Sequence, residues 1–298
     1  MSQAAPAPRI SVLIPVYRDW DRLSLCLDAL ARQTWPAEDF EIIAINNDHR
    51  PPPAEFRLPA GVTLLQEPRG HSYAARNAGL ALARGEVLAF TDADCQPSPD
   101  WLAAGWAALQ DSEAGLVGGR IGILVEQPGL VADYDSVFAF PQERYVSQGT
   151  SVTANLFVRR RVFESVGPFN ADLQSSGDFE LCRRAGEGGH RLIYSAEALV
   201  LHPARENLDA LLRKNRRVAG GFRRREFELR GRGTWEVVKD LRVMLRPRPR
   251  YWWRMLAGHE KTGHLPVSRR VGVVAICILL YYHFALSVLR KPPSKDQH

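Results

Sequence analysis

Two aspartates one residue apart are the part of this sequence best suited to chemistry. Asp92 and Asp94 follow directly on the apolar run 87–91, which predicts a buried strand, and two prolines within the next five residues predict a loop. Two ionised carboxylates this close repel each other, and a divalent cation that bridges to phosphate oxygens would relieve the repulsion. An Asp-x-Asp pair is also common in solvated turns. The pair alone therefore leaves a metal site and a plain turn both open.

The elements that must position this pair alternate between strands and helices. Apolar spacing predicts strands over 10–16, 41–45, 62–65 and 86–91, with helices that end at Gln33 and Arg84. This order predicts an α/β fold with a mostly parallel, Rossmann-like sheet flanked by helices. Ligands bind at the carboxyl ends of the strands in such sheets, which is where both aspartates lie.

The region after residue 110 changes in character. Strands are predicted over 116–125, 151–159 and 191–195, with short helices over 161–166 and 179–185. This mixed order is expected of a segment that completes the sheet and shapes a second pocket. No Gly-x-Gly-x-x-Gly follows the first strand, so a dinucleotide oxidoreductase is disfavoured.

The charge of the chain is unevenly distributed. Of the 298 residues, 45% are hydrophobic and 24% are charged, which is ordinary globular composition. Residues 1–204 hold 17 Lys and Arg against 25 Asp and Glu, whereas residues 205–270 hold 19 against 7. A basic segment of this kind can bind nucleic acid or anionic lipid, and the charge alone does not choose between them.

The cysteines and the N-terminus both point to a cytoplasmic body. The four cysteines show no paired spacing, which argues against a disulfide framework and a zinc site and predicts reduced thiols. The residues before Arg9 lack the apolar core of a signal peptide.

The C-terminal third suggests contact with a membrane. Residues 205–232 are Arg-rich and predicted helical, with a break at Gly220-Gly221, and residues 235–255 alternate arginine with aromatic and apolar residues, as at a membrane interface. Residues 271–289 carry no formal charge. A helix of that length measures about 28 Å and can just span a bilayer core, although an interfacial, re-entrant or buried helix stays open.

An ordered set of short motifs resembles a bacterial-type family 2 glycosyltransferase of the GT-A fold. The similarity covers roughly residues 9–203. The motifs in this set are Ile14-Pro15-Val16-Tyr17, Glu41-Ile42-Ile43, Gly70, Ala75-Arg76-Asn77-Ala78-Gly79-Leu80, Ala83-Arg84-Gly85-Glu86, Thr91-Asp92-Ala93-Asp94, Asn155, Gly167-Pro168-Phe169 and Gly177-Asp178-Phe179-Glu180-Leu181. The resemblance implies inverting transfer of a sugar from a UDP, dTDP or GDP sugar to a glycan or lipid-linked acceptor.

The resemblance also implies a metal site and a catalytic base. Asp94 would bind a divalent cation, Mg²⁺ or Mn²⁺, with His202 as a further ligand, and Asp92 would face the ribose or help to hold the ion. Asp178 would be the base that takes the proton of the acceptor hydroxyl. The alternatives are an N-cap role for Asp178 and a surface or core role for His202.

The remaining matched positions are implied to bind the nucleotide-sugar. They are Pro15, Tyr17, Asp19, Asn47, Asp48, Arg76, Asp92 and Ala93. Pro15 could instead merely end its strand, Arg76 could form a helix-surface salt bridge, and Asp48 could cap its loop.

Three features depart from the family pattern. Asn46-Asn47 stands where many members carry two aspartates, which leaves the base unassigned, although an Asn carbonyl can accept from a uracil or thymine N3–H. Gly177 stands where the family usually has Glu before the base. The Gln-x-x-Arg-Trp motif of processive synthases has no counterpart at Lys214–Val218, which favours transfer of a single sugar.

The sequence therefore predicts four segments. A GT-A domain over 1–204 has a nucleotide-binding half (about 9–110) and an acceptor half (about 111–204). A basic, interfacial helical segment follows over 205–270, then a membrane-spanning or interfacial helix over 271–289 and a tail over 290–298. The basic segment before the apolar run agrees with a location at the cytoplasmic membrane face.

Two rival functions stay open. One is a non-catalytic membrane scaffold with the same fold. The other is a nucleic-acid-binding protein, but no helix-turn-helix, zinc finger or aromatic RNA-binding signature is present, so we expect an anionic membrane surface and no nucleic acid as partner.

Overall fold

The computed structural model describes residues 7–224, 235, 239 and 242–289, and these fall into two compact units. The described residues of the first unit lie in Met1–Gly122, Phe140–Leu173 and Gly177–Pro203. Those of the second lie in Ile123–Ala139, Gln174–Ser176 and Ala204–His298. The predicted tail over 290–298, and much of the basic segment between 225 and 241, are outside the described residues.

The strands and helices follow in chain order. The strands are β1 (Ile10–Val16), β2 (Phe40–Asn46), β3 (Val62–Gln66), β4 (Val87–Thr91), β5 (Gln96–Pro97), β6 (Leu116–Leu124), β7 (Asn155–Arg159) and β8 (Leu192–Pro203). The helices are α1 (Trp20–Leu30), α2 (Ser72–Leu82), α3 (Trp101–Ser112), α4 (Leu130–Phe138), α5 (Gln142–Ser147), α6 (Arg160–Val166), α7 (Gly177–Glu187), α8 (Leu208–Arg223), α9 (Pro249–Leu256) and α10 (Val267–Leu289).

The strands form one mixed sheet in the order β3-β2-β1-β4-β7-β6-β8-β5. β1 pairs in parallel with β2 and β4, and β2 pairs in parallel with β3. β7 is antiparallel to β4 and β6, and β5 is antiparallel to β8. The predicted α/β fold is confirmed, and the parallel half brings the ends of β1, β2 and β4 to one edge.

Burial on both faces of the sheet explains why the sequences of the central strands are continuously apolar. All five residues of β4 are buried, because helices cover both faces of the sheet. The ring of Phe90 lies 5.3 Å from that of Phe169 and 5.9 Å from that of Phe163. This packing buries β4, the strand that leads directly to the two aspartates.

The acceptor half differs from the prediction in the bounds of two strands. β7 begins at Asn155 rather than at Ser151, because the side chain of Gln142 accepts from the N–H of Val152 and donates to the hydroxyl of Ser151. These bonds hold residues 151–154 as a loop. β8 is longer than predicted and runs to Pro203.

The predicted helix break at Gly220-Gly221 is wrong. α8 continues through both glycines to Arg223. A Cβ added to Gly221 would lie 2.7 Å from the Cβ of Ser175, so the glycine allows a close approach of two segments of the second unit.

Candidate active site

The exits of β1 and β2 carry the residues predicted to bind the nucleotide. Tyr17 follows β1, is 57% exposed, and has the guanidinium of Arg18 over its ring at 4.8 Å. Arg18 also pairs with the carboxylate of the buried Asp48. Hydrogen bonding from Arg18 is the largest effect on the pKa of the Asp48 carboxyl and holds it below its ordinary value. Sequence reasoning missed Arg18, although its place at a strand exit was visible.

The two asparagines after β2 have different environments. Asn46 stabilises the loop, since its Nδ2 donates to the carbonyl of Arg50 (2.8 Å) and to Gln66 (2.9 Å). Asn47 is buried, and its Oδ1 has no hydrogen-bond partner within the described residues. Asn47 thus offers an unsatisfied acceptor at the sheet edge, where a ligand N–H would relieve the cost of its burial.

The buried side chain of Arg76 pairs with the carboxylate of Asp92, which is 35% exposed. The Nη2 of Arg76 lies 2.5 Å from Oδ1 of Asp92, and the arginine side chain is only 3% exposed. The side chain of Arg76 is therefore not on the surface of α2, although it does form a salt bridge. Its Nε is buried and has no partner in the part of the chain that the structure describes.

Asp94 and His202 come together although they are far apart in the sequence. The Nε2 of His202 lies 3.4 Å from Oδ2 of Asp94, and its Nδ1 lies 2.7 Å from the carbonyl oxygen of Pro203. A carbonyl oxygen can only accept, so Nδ1 carries hydrogen and donates, and in the neutral ring the lone pair of Nε2 faces the carboxylate. A cation between the two acceptors would bind to both.

Cys95 completes a group of three donor atoms that lie within 4.8 Å of one another. The thiol lies 3.8 Å from Oδ1 of Asp94, and burial raises the pKa of Cys95 well above its ordinary value. Mn²⁺ binds both carboxylate oxygen and imidazole nitrogen, whereas Mg²⁺ prefers the carboxylate oxygen. The residues present therefore fit a divalent cation.

Asp19 adds negative charge to this edge. Burial first, and the charge of Asp94 second, raise the pKa of the Asp19 carboxyl above its ordinary value. The charge of Asp94 therefore opposes ionisation of Asp19 at this edge. Asp92 is not in the group of three donors, because its carboxylate faces Arg76.

Asp178 lies in the first turn of α7, and its buried carboxylate has three donors. Tyr73 donates its hydroxyl at 3.1 Å, and the backbone N–H groups of Phe179 and Thr153 donate at 3.0 and 3.4 Å. Burial outweighs these bonds and raises the pKa of Asp178 above its ordinary value. A carboxylate of raised pKa is a better proton acceptor, as catalysis by a general base requires.

Gly177 is explained by the same tyrosine. A Cβ built on Gly177 would lie 2.8 to 2.9 Å from three ring carbons of Tyr73. The ring occupies the space that a larger residue before the base would need. Sequence reasoning missed Tyr73, since its partner Asp178 is 105 residues away and nothing in the local sequence links them.

The sheet order and the acidic edge after β4 define the GT-A fold of glycosyltransferases that use nucleotide-sugars. The model of the family "Glycosyl transferase family 2" matches residues 11–166. The chain belongs to this family and is a glycosyltransferase.

Relatives and solved structures agree with this assignment. Glycosyltransferase AglE of Haloferax volcanii is 34% identical over 222 residues, which are 72% of this chain and 73% of AglE. The pre-mycofactocin glycosyltransferase of Mycobacterium tuberculosis is 35% identical over 47% of this chain and 32% of its own length.

Two solved structures share the fold. Mannosyltransferase PcManGT from Pyrobaculum calidifontis, in complex with GDP-Man and Mn²⁺, aligns with a TM-score of 0.58 at 18% identity over 95% of this chain and 88% of its own. GalNAc-T7 with UDP, GalNAc and Mn²⁺ aligns at 0.54 and 19% over 73% of this chain and 48% of its own.

Proposed function

We propose that this glycosyltransferase is an inverting, metal-dependent enzyme that moves one sugar from a nucleotide-sugar to an acceptor at the cytoplasmic membrane face. The observation that supports this most is the buried carboxylate of Asp178, which is held by Tyr73 and is separate from the acidic group around Asp94. One carboxylate site would serve the acceptor and the other the donor. Two fold neighbours were solved with a nucleotide or nucleotide-sugar and Mn²⁺, which supports a donor site that includes a divalent cation.

The donor diphosphate would be bound at the carboxyl ends of β1, β2 and β4. Asp94 and His202 would hold Mg²⁺ or Mn²⁺, with Asp92 as a further ligand or as a contact to the ribose. The cation supplies positive charge that stabilises the leaving diphosphate. Arg76, positioned by Asp92, would direct its remaining N–H groups at the phosphates.

The nucleoside would contact the exits of β1 and β2. Tyr17 and Pro15 offer apolar surface for the base, and the unpaired Oδ1 of Asn47 would accept from a ring N–H. Asp19, Asp48 and Ala93 complete this predicted nucleotide-sugar site, which suits UDP, dTDP or GDP donors.

Asp178 would remove the proton of the acceptor hydroxyl as that oxygen attacks the anomeric carbon opposite the diphosphate. The Tyr73 hydroxyl fixes the carboxylate and shares its charge through a hydrogen bond. The burial that raises the pKa of Asp178 favours proton uptake during attack.

The proposed domains are those that the sequence suggests. Residues 1–204 would form the catalytic domain, with the acceptor, a glycan or lipid-linked sugar, bound by its second half. The basic segment over 205–270 and the helix over 271–289 would bind an anionic membrane surface. The apolar helix α10 is long enough to cross a bilayer by length and composition.

A donor panel tests this function. Purified full-length chain is incubated with Mn²⁺, a series of UDP, dTDP and GDP sugars and detergent-extracted lipids, and released nucleoside diphosphate is measured. We expect turnover with at least one donor, and its loss in the variant Asp94→Ala.

The contrary result would be that Asp94→Ala retains full turnover of every accepted donor. If no donor turns over, titration calorimetry with UDP, dTDP or GDP in the presence of Mn²⁺ identifies a non-catalytic scaffold with a decayed site by the absence of metal-dependent heat.

A further inference from the structure

The apolar helix α10 is packed along one side and exposed along the other. From Val271 onward the exposed residues recur at helical spacing and lie within an arc of about 80° at 100° per residue. They form an apolar stripe of Val271, Ala275, Leu279, Leu286 and Leu289. In the first turn Val267 and Ser268 are exposed as well.

The opposite side of α10 is covered by other helices of the second unit. Val273 and Val274 form a buried cluster with Met255 of α9 and Leu265. A Cβ on Gly272 would lie 2.6 Å from the side chain of Leu130, so this glycine lets α4 approach closely. The helix is thus an integral part of a packed bundle rather than an isolated segment.

The contact with α8 places polar groups beside the middle of α10. The Nδ2 of Asn215 donates to the carbonyl of Leu280 at 3.2 Å, and its Oδ1 lies 2.8 Å from Nδ1 of His283. Further along, Nη1 of Arg223 donates to the carbonyl of Val288 at 3.2 Å. α8 therefore runs alongside the C-terminal half of α10.

α8 is strongly cationic. It contains five Lys and Arg and one Asp, and Arg213, Arg216 and Arg217 are exposed. Leu280 is the fourteenth of the 23 residues of α10, so it would lie close to the bilayer centre if the helix crossed the membrane. α8 would then bring Arg216 and Arg217 into the hydrocarbon beside Asn215, which is costly for each charge.

A helix that lies in the plane of the membrane surface avoids this cost. The apolar stripe would enter the boundary between headgroups and acyl chains, while the cationic residues of α8 stay among the headgroups. Exposed Tyr251 and Trp253 of α9 are suited to the same boundary, and residues 242–259 include five arginines and no acidic residue. This charge is complementary to anionic lipid.

We infer that α10 docks the enzyme on an anionic bilayer as an in-plane helix and does not cross it, so the residues after Leu289 stay on the cytoplasmic side. The inference rests on the proposed location at the membrane. It makes the protein monotopic, with its attachment dependent on lipid charge.

Topology reporters test the inference on the full-length chain in bacterial cells. Green fluorescent protein or alkaline phosphatase is fused after His298, and membrane and soluble fractions are assayed for both reporters. We expect fluorescent, phosphatase-inactive chain in the membrane fraction. Active phosphatase in that fraction would overturn the in-plane helix and leave the membrane location intact, whereas chain found only in the soluble fraction would overturn both.

Vesicle flotation tests the surface itself. The double variant Leu279→Glu, Leu286→Glu should bind vesicles of phosphatidylcholine and phosphatidylglycerol at least about tenfold more weakly, because two leucines no longer enter the boundary. The matched control Leu25→Glu, Leu82→Glu alters two similarly exposed leucines on helices of the first unit and should bind normally. Equal binding of the stripe variant and the control would refute the role of the stripe.

A second double variant tests whether the positive charge of α8 contributes to vesicle binding. Arg216→Gln with Arg217→Gln should weaken binding to the mixed vesicles and leave the weaker binding to pure phosphatidylcholine unchanged. Unchanged binding to the mixed vesicles would refute the contribution of α8.

Discussion

Replacing Tyr73 by phenylalanine removes one hydroxyl from the carboxylate of Asp178 and leaves the ring in place. That ring stacks on Phe169 at 5.7 Å, so the packing that supports the base is expected to survive. A hydrogen bond to a charged group is worth roughly 1.5–3 kcal/mol, and one pKa unit corresponds to about 1.4 kcal/mol. The carboxylate keeps the N–H groups of Thr153 and Phe179 as donors, so we take the lower end of the hydrogen-bond range for the loss of the Tyr73 hydroxyl. The pKa of Asp178 should rise by about one unit.

The sign of the effect follows from the state that reacts. Only the ionised carboxylate can accept a proton, so activity falls as the pH drops through the pKa of Asp178. In Tyr73→Phe the acid limb of kcat/KM against pH should move to higher pH by about one unit, and activity should recover at high pH.

The assay is the pH dependence of released nucleoside diphosphate for wild type, Tyr73→Phe and the control Tyr145→Phe. Burial first, and the charge of Asp178 second, raise the pKa of the Tyr145 phenol above its ordinary value. The Tyr145 hydroxyl is nevertheless not among the donors to that carboxylate in the described residues. The control should keep the wild-type acid limb. An acid limb that does not move in Tyr73→Phe, or a loss of activity equal at all pH values, would refute the reasoning.

Three other predictions concern stability and metal binding. Burial holds the folded-state pKa of Asp178 above its unfolded value, so ionisation of this carboxyl destabilises the fold as the pH rises through the folded-state pKa. Asp178→Asn should therefore raise the melting temperature at neutral pH by a few degrees, about 2–4 °C per kcal/mol. A lower melting temperature would contradict this. Gly177→Ala should cost about 1–3 kcal/mol in urea unfolding through the clash with the ring of Tyr73, and unchanged stability would show that the ring moves freely. His202→Ala should weaken Mn²⁺-dependent nucleotide binding at least about tenfold by calorimetry, with metal-free binding unchanged, if Nε2 is a ligand beside Asp94; equal metal dependence in the variant would exclude that role.

The parallel half of the fold is predictable because its information is local. β1 and β4 are continuous apolar runs that end in polar residues, and this pattern already placed Asp92 and Asp94 after a buried strand. The GT-A fold and the family follow from the order of such segments. The bounds in the acceptor half were less accurate, since the side chain of Gln142 decides where β7 begins.

The site is predictable only where a motif marks it. Asp178 could be selected by its motif, but its partner Tyr73 is brought to it by the packing of α2 against the sheet, and no local pattern reports that contact. The same holds for Gly221, where the sequence predicts a helix break. Its role depends on the approach of Ser175, which only the folded chain shows.

The central claim is that Asp178 is the base of an inverting transfer and not a structural carboxylate. The most direct measurement compares wild type and Asp178→Asn in acceptor-dependent release of nucleoside diphosphate, with donor affinity measured on the same samples by calorimetry. The account predicts a fall in turnover of about 10²–10⁴-fold with donor affinity nearly unchanged. Turnover of every accepted donor at the wild-type rate in Asp178→Asn would contradict it.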